Sequence, residues 1–85
     1  MKTPTYDIPV NDRKSFIRFL ELFHQDFLVT KEQWENNTLE SFLEAMTRYA
    51  QDIEGYYQNT NQSIDADIPG WAIFADILKG SKVYE

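Results

Sequence analysis

Apolar residues recur at Phe16, Leu20, Phe23 and Phe27, the i, i+4, i+7, i+11 spacing of one helical face, and predict a first helix over residues 12–28. Asn11 or Asp12 offers the N-cap oxygen in front of it. Ile17, Phe19 and Leu22 widen the apolar arc, so this helix is expected to be the central one, packed on more than one side. Thr30 followed by Gln33 has the form of a capping box and predicts a short helical turn near 31–35, carrying Trp34. A second helix over 38–57 follows, with Leu39, Phe42, Leu43, Met46, Ala50 and Ile53 on one stripe and a cap from Asn37 with Glu40, or from Thr38 alone. Gly55 interrupts or ends it, and the polar run Gln58 to Ser63 reads as a loop.

Asp67 before Pro69 places a cap and a first-turn proline on a third helix over 69–80, with Trp71, Phe74, Ala75 and Leu78 on one face and Gly80 as the stop. Ile73 and Ile77 form a second apolar pair on that helix and require a cover. Pro4 and Pro9 keep the opening segment extended, and its Ile8 and Val10 are expected to supply the cover, a partner contact being the other reading. Nothing reads as a strand longer than four residues. The expected fold is therefore all-α: one domain, residues 1–85, built as a bundle of three main helices plus a short helical turn, with an extended segment over 1–11.

Composition supports a folded chain. Leu, Ile, Val and Phe make up 22 of the 85 residues, above the fraction at which chains stay disordered. With no cysteine, neither a disulfide nor a thiolate metal site can assist the core. Charge is lopsided, 14 Asp plus Glu against 8 Lys plus Arg, for a net −6, the wrong sign for a phosphate-binding surface, so no nucleic-acid partner is expected. Two prolines and an aspartate occupy the first ten residues, where a secretory signal needs an unbroken apolar run. There is also no apolar run of about 20 residues to cross a bilayer. A soluble, cytoplasmic protein without a membrane partner is the expectation.

Catalytic chemistry is thinly supplied. A single histidine, no cysteine and no glycine-rich loop remove the Ser/His/Asp, Cys/His, zinc and phosphate-cradle arrangements together. His24 falls at the edge of the first helix's apolar stripe, where a partly buried, hydrogen-bonded imidazole is expected rather than a catalytic one. Asp65 and Asp67 resemble the start of a calcium loop, but the bidentate glutamate at the twelfth position is absent, and neither metal nor cofactor is expected.

The negative charge is concentrated. Residues 49–78 contain Asp52, Glu54, Asp65, Asp67 and Asp76 and no Lys or Arg, together with Tyr49, Tyr56, Tyr57, Trp71 and Phe74. Taking Leu39 as 0° and about 100° per residue, Ala45, Tyr49, Asp52 and Tyr56 fall near 240°, 280°, 220° and 260°, on one flank, whereas Tyr57 returns to the core. Tyrosines beside uncompensated carboxylates suit a surface that holds a basic protein, the rings giving buried area and the acids steering encounter. The candidate partner-binding residues are Tyr49, Asp52, Tyr56, Asp65 and Asp67. The blander reading makes the tyrosines lie along a neighbouring helix and the acids an ordinary solvated face.

Three stretches, Trp34-Glu-Asn-Asn-Thr-Leu-Glu-Ser-Phe-Leu-Glu-Ala45, Asp52-Ile-Glu-Gly-Tyr-Tyr57 and Trp71-Ala-Ile-Phe-Ala-Asp-Ile-Leu78, with Tyr84-Glu85 closing the chain, give a more specific signal. Over residues 12–85 the chain resembles a family of small, acidic, helical bacterial proteins of uncharacterised function. That resemblance implies the helical fold and no active site. A weaker likeness, in size, charge and an acid shortly before a Tyr-Tyr pair, is to the colicin nuclease immunity proteins, four-helix inhibitors that clamp basic toxin domains. It implies that Asp52, Tyr56 and Tyr57 form a binding core, although the acid-to-tyrosine spacing is one residue longer here. The expected function is a non-enzymatic protein-binding module, an immunity-type inhibitor whose acidic, tyrosine-rich face meets a basic partner such as a toxin domain. The alternatives are a structural or regulatory subunit using Ile73 and Ile77, and a small enzyme with Asp52 or Glu54 as acid or base beside Tyr56.

Overall fold

The computed structural model describes residues 4–84, so the first three residues of the expected extended segment, and Glu85, lie outside the described residues. The elements run in the order α1 (Arg13–Thr30), a 3₁₀ turn (Lys31–Gln33), α2 (Leu39–Asn59) and α3 (Trp71–Ser81), with no strand among the described residues. The all-α expectation holds. None of these helices is long and apolar enough to cross a membrane.

Two of the helix starts are reciprocal capping boxes. The Asp12 carboxylate accepts the Ser15 amide at 2.8 Å while the Ser15 hydroxyl accepts the Asp12 amide at 3.1 Å. Thr38 and Ser41 repeat the arrangement at α2 with bonds of 3.1 and 3.3 Å, so serine takes the place expected of Glu40. The other cap expectations fail. Thr30 makes no cap bond, because its hydroxyl is spent on the Asp26 carbonyl within α1. Asp67 does not cap α3, which starts one turn later at Gly70 without a side-chain cap; the Asp67 amide instead donates to the Asp65 carboxylate at 2.9 Å. α2 runs straight through Gly55 and takes in the first two residues of the expected loop, ending where Asn61 adopts a left-handed φ of 56°. Gly80 is not the stop of α3 either, since the helix continues to Ser81.

The central helix is α3, not α1. It packs against both α1 and α2, whereas α1 and α2 have no close backbone approach. Its sequence explains why: small or apolar residues surround it, so it can be buried from two directions. Ala75 and Leu78 meet Phe19 and Phe23 of α1, with Tyr6 and Val10 of the opening segment and Trp34 completing that cluster. Ile73 and Ile77 meet Ile53, Tyr57 and Tyr49 of α2. The cover for Ile73 and Ile77 is thus α2 rather than the opening segment, and the patch needed by a subunit docking on those isoleucines is already filled. Trp71 and Phe74, expected in the core, keep over a third of their surface exposed and lie beside Phe16.

Because α2 is seated on α3, its buried face is turned by roughly 60° from the expected stripe, which was centred on Leu39. Ala45, Ile53 and Tyr57 are buried and Phe42, Met46 and Tyr49 half-buried, while Leu39 is 75% and Leu43 49% exposed and Ala50 faces solvent. The linker between α1 and α2 is pinned to the end of α3. The Trp34 indole N–H donates to the Asp26 carboxylate at 2.8 Å, the Lys82 ammonium reaches the same oxygen at 3.0 Å, and the Asn36 side-chain amide donates to the carbonyls of Ser81 and Tyr84 at 2.9 and 2.7 Å. Burial pushes the Asp26 carboxyl up, but the Trp34 and Lys82 hydrogen bonds outweigh it and hold the group below its usual range. The Trp34-Glu-Asn36 motif is therefore a structural clamp.

Candidate functional site

The α2–α3 seam gathers four tyrosines. Tyr49 and the adjacent pair Tyr56 and Tyr57 lie two turns apart on α2, and Tyr84 follows α3. Their arrangement depends on Gly80: a Cβ there would lie 2.2 to 2.5 Å from the Tyr49 ring, so only glycine lets the ring lie flat on α3. The Tyr49 ring centre is then 5.1 Å from Tyr84 and 6.3 Å from Tyr56. Tyr56 and Tyr57 have different roles, as the helical phase requires. Tyr57 is 1% exposed and donates its hydroxyl to the Asp76 carboxylate at 2.7 Å, whereas Tyr56 is 44% exposed.

Tyr49 and Tyr56 separate two hollows. The larger, about 600 Å³, is lined by both tyrosines together with Gln51, Asp52, Glu54, Gly55, Asn59 and Tyr84. Its lining holds two carboxylates and no cation. The smaller, about 300 Å³, holds Tyr6, Asp7, Asp76, Lys79 and Gly80, with Lys79 placed 3.4 Å from Asp7 and 3.5 Å from Asp76. Tyr84 donates its hydroxyl to Asp52, and this bond holds the Tyr84 phenol above its usual range. Burial, then the neighbouring Tyr56 and Asp76, push the Tyr49 phenol up to about 12; burial and the Asp76 bond raise Tyr57 further. These three phenols are neutral at physiological pH. The hydroxyls of Tyr49 and Tyr56 make no hydrogen bond among the described residues and are free to engage a ligand.

Of the five residues expected at the binding face, the fold brings together Tyr49, Asp52 and Tyr56. Ala45, assigned to the same flank, is buried. Asp65 lines a separate hollow beside Val10, Ile68 and Trp71, and its carboxylate is occupied by the Asp67 amide, so Asp65 and Asp67 do not belong to this site. Asp76, at the twelfth position counted from Asp65, is engaged with Tyr57 and Lys79, and no three metal-ligating side chains converge among the described residues. His24, expected to be partly buried and hydrogen-bonded, is exposed and makes no hydrogen bond among the described residues, lining instead an apolar groove between α1 and α2. The expected likeness to colicin nuclease immunity proteins would have Tyr56 and Tyr57 presented together. Burial of Tyr57 leaves only Tyr56 available.

Sequence reasoning missed Gly80, Asp76, Lys79 and Tyr84. Tyr84, in the closing motif, and Asp76, among the concentrated acids and in the Trp71–Leu78 stretch, carried a signal. Gly80 reads as a helix stop until the ring it accommodates is known, and the contacts of Asp76 with Tyr57 and of Lys79 with Asp7 join residues distant in sequence.

Comparison with the curated proteins and with the solved structures returned no match to this chain. The elements that build the site, from the Asp12 cap to the closing tyrosine, fall within one continuous match: residues 12–85 match the family described as "Family of unknown function (DUF7660)", and the chain belongs to that family.

Proposed function

We propose that the chain is a protein-binding module, not an enzyme, and that it acts as an inhibitor of the immunity type by holding a basic partner protein, such as a toxin domain, on the Tyr49–Asp52–Tyr56 surface. One observation carries this reading: two tyrosines with free hydroxyls border a hollow lined by Asp52 and Glu54 and by no cation. A lysine or arginine entering it meets a carboxylate and the face of an aromatic ring together, the combination that anchors cationic side chains. Exposed tyrosine supplies contact area with few torsions to freeze, and the surrounding acids raise the encounter rate. No histidine lines the hollow, which favours binding over acid–base chemistry.

The test is a pull-down from the source cell followed by surface plasmon resonance at two ionic strengths. Asp52→Ala and Tyr56→Ala each weaken binding by about 2 kcal/mol or more, the range of interface hot spots. Asp65→Lys and Asp67→Lys, lying off the site, slow association through the long-range field and leave dissociation unchanged. An affinity indifferent to both Asp52 and Tyr56 refutes the assignment.

A further inference from the structure

A second surface lies between α1 and α2. Because those helices are held apart by α3, a groove of about 380 Å³ opens between them over a floor of Phe23, Phe27, Trp34 and Phe42. Its walls are Leu20 on α1 and Leu39 on α2, and Ile17 and Leu43, one turn further along each wall, are about half exposed. Contiguous apolar surface of this kind on a small, highly charged protein marks an interaction site.

We propose that this groove is the interface of a homodimer, each copy seating its exposed leucines over the aromatic floor of the other. The charges at one end of the groove select that occupant. On the α1 side, Lys31 sits with its ammonium 5.6 Å from the Phe27 ring centre; on the α2 side, Glu40 follows Leu39. Neither forms an ion pair among the described residues. A two-fold axis along the groove lays the α1 wall of each copy on the α2 wall of the other, so that Lys31 meets the partner's Glu40 twice and Leu39 projects into the partner's groove. A second copy gives both Lys31 and Glu40 an opposite charge at once, as a self-complementary isologous patch does. The groove shares no lining residue with the acidic hollows. The dimer therefore presents two acidic faces at once, and a partner with two basic sites gains avidity.

Sedimentation equilibrium over a concentration series tests this directly. The wild-type mass rises from 10.1 kDa toward twice that value with a dissociation constant at or below about 100 μM. Leu39→Asp, at an exposed position whose loss leaves the helical circular dichroism intact, gives a monomer throughout. Glu40→Lys and Lys31→Glu each weaken association about tenfold or more, and the double variant restores it, since reversing both partners recreates the pair. Ile68→Asp, an exposed isoleucine outside the groove, leaves the dimer intact. A wild type that stays at chain mass, a Leu39→Asp dimer, or a double variant weaker than either single one overturns the proposal, and none of these outcomes alters the expectation for Asp52 and Tyr56.

Discussion

Gly80→Ala should change sign with its background. In an exposed helix interior the substitution stabilises by about 0.8–1 kcal/mol, because alanine orders more cheaply than glycine. Here the new methyl would lie 2.2 Å from the Tyr49 ring. Restoring a contact distance of about 3.5–4.0 Å forces the ring back by roughly 1.5 Å. The Tyr84 and Tyr56 rings, centred 5.1 and 6.3 Å away, limit its retreat. Overpacking of this kind costs about 1–3 kcal/mol, so the net effect in the wild type is a loss of up to about 2 kcal/mol. In a Tyr49→Ala background the obstacle is gone and only propensity remains, so Gly80→Ala should then stabilise by about 1 kcal/mol. Urea titration of the four proteins, followed by circular dichroism, gives the coupling as the difference between the two Gly80→Ala effects, expected at about 1–3 kcal/mol. If Gly80→Ala stabilises the wild type by the full propensity gain, or if the two effects are equal, the Tyr49 ring is not seated on Gly80.

Phe23→Ala should cost about 3–5 kcal/mol as a buried aromatic truncation, while Leu39→Ala should stay within about 0.5 kcal/mol; equal losses in urea titration would restore the stripe centred on Leu39. Tyr57→Phe, which removes the bond to Asp76, should cost about 1–2 kcal/mol and Tyr56→Phe nearly nothing, a contrast that thermal melts would reverse if the helical register were shifted. Asp26→Asn should destabilise by about 2–3 kcal/mol at neutral pH, the charge of Lys82 being left partly buried without its partner. Since the folded Asp26 carboxyl titrates below its reference value of 3.8, its contribution is complete above that pH and is lost as pH falls through the folded value. The gap between wild type and Asp26→Asn should therefore narrow in acid, and a gap that is constant from neutral pH into strong acid would remove Asp26 from the account.

Element type and number were legible in the chain because they are set locally. The 3.6-residue period of α1 and α2, the cap oxygens of Asp12 and Thr38 and the different fates of Tyr56 and Tyr57 each depend on residues within a few turns of one another. The aromatic and acidic character of residues 49–78 was legible too, and with it the three residues Tyr49, Asp52 and Tyr56 that line one hollow. Which helix lies at the centre was not. Periodicity tells a helix which residues are apolar, but the phase of the buried arc follows from the neighbour against which the helix rests. The broad apolar arc of α1 suggested a central position, yet the short α3, apolar or small on nearly every side, is the helix that can be enclosed by two others.

From that single tertiary choice the remaining differences descend. Seating α2 on α3 turned its buried face away from Leu39 and Leu43, covered Ile73 and Ile77, and opened the groove between α1 and α2. It also gave Gly80 its role, as the space for a tyrosine ring from another helix instead of a helix stop. Asp65 and Asp67, assigned to the acidic face by charge alone, were drawn into a turn of their own. Sequence fixes charge and period because both are properties of a residue and its near neighbours; the assembly of Tyr49, Tyr56, Tyr84 and Asp52 into one hollow required α2 and the chain's end to meet, a contact between segments some thirty residues apart that no local pattern encodes.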